Sequence, residues 1–284
     1  MPLSARAEPR APGWEWRGAA LGGEARIVLR HADLAQARAA VEACVAELER
    51  LENQFSLFRP HSAICRLNRD GVLERPSLDF RRLVEESLRL ADATQGRFDP
   101  TVQPVWDVHA RSFAHDGLPP HPKALERALR SVDWRAVEIG PRRAAFARPG
   151  MALTLNGIAQ GAITDRLRDL LADAGFDRVL VDAGELRGLG GPWRVALDHP
   201  DGAPRQVELH DRAVATSSGA RTRFDAAGRF NHILDPRSGR SPDPGRGVSV
   251  LAPRAAQADG WATALAIDPN LARPVAVEAI VSQA

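Results

Sequence analysis

Between residues 34 and 55 the apolar side chains Leu34, Ala37, Val41, Val45, Leu48, Leu51 and Phe55 recur at the spacing of one helix face. That pattern predicts a long amphipathic helix whose apolar face must be buried against another layer. Asp33 sits at the N-cap position, with Gln36 three residues on, a capping-box start. A second helix is expected from about residue 80 to 94, with Leu83, Val84, Leu88 and Ala91 inward and Gly96 as its stop. A third follows Gly161, with Ile163, Leu167, Leu170, Leu171 and Ala174 inward and Gly175 closing it. Residues 124–129 and 255–266 also read as helices. Short apolar runs at 27–29, 152–155, 179–181, 193–197, 206–209, 213–215 and 248–251 read as strands. Strands and helices do not alternate strictly, so the expectation is an α+β domain rather than a parallel βαβ array.

The chain has 284 residues, of which 44% are apolar and 26% charged. This is enough to bury a real core. Thirty-eight Lys and Arg stand against 36 Asp and Glu. The near balance gives no basic excess of the kind that nucleic acid demands. No apolar run approaches the roughly 18 residues of a membrane-spanning helix. The N-terminus lacks a basic region followed by an apolar core, so no full signal peptide is read. Ala5-Arg6-Ala7 has the small-x-small form of a signal-peptidase site. Residues 1–17 are therefore expected to be a disordered tail or an export-signal remnant, and 18–284 the folded domain. Cys44 falls on the apolar face of the first helix and reads as a buried thiol; Cys65 lies in a short polar segment, and a disulfide between the two is the less favoured reading.

Several local motifs invite chemistry. Gly188-Leu189-Gly190-Gly191 does not open a helix, so it reads as a hairpin turn and not a dinucleotide fingerprint. Residues 107–123 carry His109, His115, His121 and several prolines. Their spacing of six fits neither a helix face nor a zinc pattern, and the segment reads as a solvated surface loop. Thr216-Ser217-Ser218-Gly219 reads as a loop offering backbone N–H groups to a phosphate. Asp259 and Thr263 are four apart near the start of a predicted helix, hence on one face. A carboxylate and a hydroxyl are hard oxygen ligands of the kind Mg²⁺ accepts. His232 precedes the turn signal Asp235-Pro236 with Gly239.

The order and wording of these segments resemble the ApbE family of FAD:protein FMN transferases from about residue 18 to 266. The resemblance begins at Ala20-Leu21-Gly22-Gly23-Glu24-Ala25. It continues through Phe55-Ser56-Leu57-Phe58 and the run from Ser62 to Asn68, then Gly96-Arg97-Phe98-Asp99-Pro100-Thr101-Val102-Gln103-Pro104 ending in Trp106. Leu155-Asn156-Gly157-Ile158-Ala159-Gln160-Gly161 through Asp165 forms its centre. Ala215-Thr216-Ser217, Asn231-His232-Ile233-Leu234-Asp235-Pro236 and Ala258-Asp259-Gly260-Trp261-Ala262-Thr263-Ala264-Leu265 complete it.

The resemblance implies a T-fold-like α+β domain with mixed or antiparallel sheets, packed helices, and FAD in a cleft. It implies Mg²⁺ on the FAD diphosphate, held by Asp259, Thr263 and a backbone carbonyl near Gly157. Leu21, Phe58, Arg97, Phe98, Asp99, Thr154, Gln160 and Ile233 would line the flavin and adenosine site, and His232 would stand beside the diphosphate as the candidate base. The implied reaction moves FMN from FAD to a Thr or Ser hydroxyl of an acceptor flavoprotein and releases AMP. The alternatives are a FAD pyrophosphatase giving FMN and AMP, and a non-catalytic FAD-binding or trafficking protein. The implied acceptor is a subunit of a membrane electron-transfer complex, and the implied location is periplasmic. Thr154 stands where the family usually has Asp, Gln160 where it usually has Lys, and Ala162 where Tyr is usual. Loss of both charges at 154 and 160 leaves neither unpaired.

Overall fold

In the computed structural model, residues 13–282 are described apart from 32, 198–204 and 221. Ala5-Arg6-Ala7 therefore lies outside the described residues. β1 (Trp14–Ala20) and β2 (Gly23–Leu29) form an antiparallel hairpin. Its turn runs through Leu21 (φ 47°) and Gly22 (φ 79°), a left-handed pair whose twist matches that of the strands. α1 (Leu34–Phe55) follows, with the Asp33 carboxylate accepting the N–H groups of Ala35 and Gln36 at 2.9 and 3.0 Å. Next come α2 (Ala63–Asp70), β3 (Val72–Glu74), α3 (Leu78–Ala93), α4 (Gln103–Asp116), α5 (Pro122–Leu129), β4 (Val137–Ile139) and β5 (Arg143–Phe146). The second half holds α6 (Ala159–Asp173), β6 (Val179–Asp182), β7 (Leu186–Leu189), β8 (Trp193–Leu197), β9 (Arg205–Leu209), β10 (Ala213–Ser218), β11 (Gly247–Ala252), α7 (Ala255–Ile267) and β12 (Glu278–Ser282).

The frame is a seven-stranded sheet in the order β1-β2-β6-β7-β10-β11-β12, with antiparallel neighbours throughout. Side chains alternate between its faces. Ile27, Leu29, Val179, Val181, Ala213, Ala215, Val248 and Val250 point into the main core with α1, α6 and α7. Val28, Leu180, Leu186, Val214 and Leu251 point the other way, into a second core shared with Trp193, Val195, Leu197 and Leu209 of the β8–β9 hairpin. The α+β expectation holds. α7 is buried on nearly every side, between the sheet, α6 and α3. α6 approaches α7 closely at Gly161, where a Cβ would lie 2.3 Å from the Ala255 carbonyl oxygen. Only glycine permits that contact without moving a backbone.

Five expectations need correction. Residues 14–17, assigned to the tail, are the first half of β1. Residues 107–123 are not a loop: α4 covers them to Asp116 and buries Val105 and His109, with Pro104 tolerated in the first turn. The interspersed histidines hid its apolar face. Residues 152–155 form no strand. The Asn68 side chain there takes the place of a ladder partner, donating to the Leu153 carbonyl (2.8 Å) and accepting its N–H (2.7 Å). Gly188–Gly191 is not a hairpin turn, because β7 pairs with β6 and β10 whereas β8 pairs only with β9, in another sheet. Thr216, Ser217 and Ser218 belong to β10, not to a phosphate-cradling loop. The Thr216 N–H is already donated to Glu185 Oε2 at 3.2 Å.

Both cysteines are free thiols. Cys44 is buried as expected, and burial pushes its thiol up to about 12.

Candidate active site

The N-termini of α4 and α6, one face of α7 from its second turn onward, the turn before β7 and the C-terminal end of β10 converge on a cavity of about 260 Å³. Phe58, Arg97, Phe98, Asp99, Thr154, Gly157, Gln160, His232, Ile233, Asp259 and Thr263 all line it. Leu21 does not. It sits at the β1–β2 turn, with its N–H donated to Glu52 Oε1 at 2.6 Å. The volume lies just below the roughly 300–1000 Å³ of whole-ligand pockets, room for one ring system. Phe58, 75% exposed at that mouth, offers a flat apolar surface there.

Asp259 is buried in the second turn of α7 and accepts the Gly161 N–H at 3.2 Å. One turn later Thr263 Oγ1 lies 3.5 Å from Ser217 Oγ. The missing side chain of Gly157 completes the pocket: a Cβ there would stand 3.0 Å from Thr263 Oγ1 and 3.3 Å from Phe98. The Gly157 carbonyl oxygen faces α7, 3.7 Å from where a Gly260 Cβ would be. One carboxylate, one hydroxyl and one carbonyl make a hard oxygen set. No cluster of three His, Cys, Asp or Glu exists among the described residues. The donors fit Mg²⁺ that keeps water and phosphate oxygens as its remaining ligands.

His232 Nδ1 lies 3.1 Å from the Thr222 carbonyl oxygen. A carbonyl only accepts, so Nδ1 carries the proton and the neutral ring keeps its basic lone pair on Nε2. The loop that holds His232 is latched from beneath. His109 in α4 is 2% exposed and donates from Nε2 to the Gly239 carbonyl at 2.9 Å. Its ring stacks at 5.8 Å on Phe224 and 6.4 Å from Phe113. Burial pulls its pKa below the ordinary histidine value.

Two buried carboxylates line the cavity besides Asp259. Asp99 Oδ1 accepts from Thr101 N and Oγ1 at 2.8 and 2.6 Å and so caps the turn that starts α4. Burial raises its pKa from 3.8 to about 6 against those hydrogen bonds. A carboxyl raised in the folded state favours folding only while it is protonated. That contribution is lost as pH climbs through about 4 to 6. Asp99→Asn keeps the Oδ1 acceptor without the charge. It is therefore expected to gain on the wild type by about 3 kcal/mol between pH about 4 and about 7 in the flavin-free protein. Melting curves of both proteins across that range check this; a constant difference would refute it.

Glu185, 6% exposed, is the other carboxylate, and sequence reading missed it. Its only signal was an acid in the short Ala183-Gly184-Glu185 turn that joins β6 to β7. Gln160 lies against its neighbour, since a Cβ on Gly184 would fall 2.3 Å from Gln160 Nε2. Gln103, Asn156, Ser217 and Thr222 also line the cavity.

A family model described as the ApbE family matches residues 21–279. The chain is 32% identical over 240 residues to a FAD:protein FMN transferase of Vibrio cholerae, covering 78% of this chain and 70% of that one. A Treponema pallidum protein of the same description is 29% identical over 259 residues, covering 81% and 71%. Among solved structures, the apo flavinyl transferase ApbE of Pseudomonas stutzeri aligns with a TM-score of 0.80 at 25% identity, covering 100% of this chain and 96% of that chain.

Proposed function

The chain belongs to the ApbE family, an enzyme family of flavin transferases, and on that premise we propose that it transfers FMN from FAD to a Thr or Ser hydroxyl of an acceptor flavoprotein. The supporting observation is the convergence of the Asp259, Thr263 and Gly157 oxygens with an Nδ1-anchored His232 around one cavity. The acceptor oxygen attacks the phosphorus on the FMN side. The bond to the bridging oxygen breaks, and AMP leaves with that oxygen. Mg²⁺ bound at Asp259, Thr263 and the Gly157 carbonyl would offset the negative charge that gathers on the diphosphate oxygens.

The protein's own groups do the rest. His232 Nε2 takes the proton of the attacking hydroxyl, while the Thr222 carbonyl holds the ring in the productive tautomer. Phe58, Phe98 and Ile233 give the flavin an apolar enclosure, and Arg97, Asp99, Thr154 and Gln160 offer polar contacts. Arg97 is itself steadied by Asp268 at 3.1 Å. The acceptor is read as a flavin-carrying subunit of a membrane electron-transfer complex, and the enzyme as working outside the cytoplasmic membrane. No helix among the described residues is long and apolar enough to cross a membrane.

Mass spectrometry of an acceptor domain incubated with the protein, FAD and Mg²⁺ tests the reading. A gain of one FMN less water, lost with EDTA, supports it. AMP release without acceptor modification would make the protein a pyrophosphatase, and FAD binding without AMP a carrier. His232→Ala is expected to lower the transfer rate by about a hundredfold or more with FAD still bound. Transfer at near the wild-type rate would remove His232 from the mechanism.

A further inference from the structure

On the other side of α4 from the flavin cavity lies an open basin of about 1190 Å³, against about 260 Å³ for the cavity itself. We propose that this basin docks an acidic stretch of the acceptor polypeptide. The inference rests on the transferase reading, because only a protein substrate needs a second grip away from the reacting hydroxyl.

The two hollows share their walls. Along α4, Gln103 and Trp106 face the cavity, while Pro104, Asp107, Val108 and Arg111 face the basin. The latter set follows the i, i+3, i+4, i+7 stripe of one helix face. The extended segment after β5 is divided in the same way, with Met151 and Ala152 toward the basin and Thr154 and Asn156 toward the cavity. A helix is about 10 Å across. A bound polypeptide therefore needs only a few extended residues to reach from one hollow to the other.

The rim carries five arginines, at 69, 111, 127, 143 and 148, against the acids Asp70, Glu74 and Asp107. Arg69, Arg143 and Arg148 are engaged in exposed pairs with Asp70, Glu138 and Asp133 at 2.8, 2.7 and 3.1 Å. Exposed pairs of this kind contribute little and yield readily to a better-placed carboxylate. Arg111 and Arg127 are exposed and form no ion pair with any described residue. They stand on α4 and α5, across the basin from β5. The floor between the arginines is apolar: Val72 is 38% exposed, with Val108 and Phe146 beside it. Guanidinium groups around an apolar floor suit spaced carboxylates with small apolar side chains between them. A continuous polyanion such as nucleic acid would run onto Glu74 and Asp107.

The test is fluorescence anisotropy with a fluorescein-labelled peptide alternating Glu with Val and Ala, added to the full chain without flavin. Binding is expected to weaken at least about tenfold in Arg111→Glu/Arg127→Glu, and likewise when NaCl rises from about 50 to about 300 mM. A peptide with Gln in place of Glu should not bind. Arg82→Glu/Arg89→Glu on the exposed face of α3 changes the net charge equally and should leave affinity unchanged. Equal loss in that control, or unchanged affinity in the basin variant, overturns the docking site. In the flavin-transfer assay the basin variant should raise the acceptor KM while FAD binding stays as in wild type. A wild type that transfers FMN, beside a basin variant that keeps both peptide affinity and acceptor KM, would sink the docking surface alone. A wild type that binds the peptide but transfers no FMN would sink the transferase reading and the identity of the partner with it.

Discussion

Asp259→Asn is expected to lower the rate of FMN transfer by about a thousandfold and to leave the protein folded. Asn keeps a side-chain oxygen for the Gly161 N–H, which Asp259 now holds at 3.2 Å, so the contact between α6 and α7 survives. What disappears is the negative charge beside Thr263 and the Gly157 carbonyl. Without that charge, a hydroxyl and a carbonyl are left to bind a strongly hydrated cation, which they do poorly. A cation at a transferring phosphoryl group supplies several kcal/mol of transition-state stabilisation. Losing about 4 kcal/mol of it corresponds to a thousandfold. The measurement is the transfer rate at saturating FAD over a Mg²⁺ series, with a melting curve to confirm the fold. A rate within about tenfold of wild type at high Mg²⁺ would mean that α7 does not hold the metal. Thr263→Val should give a smaller loss of the same kind, because it removes a neutral ligand.

How much of this was legible depends on where each residue finds its partners. α1 could be read because its capping carboxylate and its apolar face lie within one local segment. Asp259 and Thr263 could be paired because one turn of a helix fixes their relation. α4 escaped because its core contact is a histidine, whose burial is settled by Phe224 and Gly239 more than a hundred residues away. Residues 151–155 alternate like a strand, but their partner is the side chain of Asn68, which no periodicity signals. The turn at Gly190 looked like a hairpin because the sequence names two strands and not the sheets they join. Glu185 lines the cavity through the pairing of β7 with β6 and β10, another relation absent from local pattern. Relations fixed within one helix were readable; relations assembled across the sheet were not.

Asp165 belongs to the second kind, and its removal should be the most damaging single change to stability. It is 3% exposed in α6 and accepts three hydrogen bonds. Oδ1 accepts the Ala255 N–H at 2.7 Å and Arg187 Nη1 at 2.5 Å, and Oδ2 accepts the Ala256 N–H at 3.1 Å. It therefore caps the N-terminus of α7 from a different helix and neutralises a nearly buried guanidinium. Asp165→Ala orphans two N–H groups and leaves Arg187 with only Asp169 at 3.8 Å. Breaking a buried pair from one side costs about 3–5 kcal/mol, which in a chain of this size lowers the melting temperature by on the order of 10 °C. Arg187→Met is the informative comparison. It leaves the Asp165 carboxylate with both α7 N–H groups and with Arg254 Nε at 3.4 Å, so it should cost distinctly less. Equal losses in the two variants would make the ion pair, and not the cap, the link that matters. A larger loss in Asp165→Ala, with the Mg²⁺ dependence of transfer weakened as well, would show that this carboxylate sets the position of α7 and of the two proposed metal ligands on it.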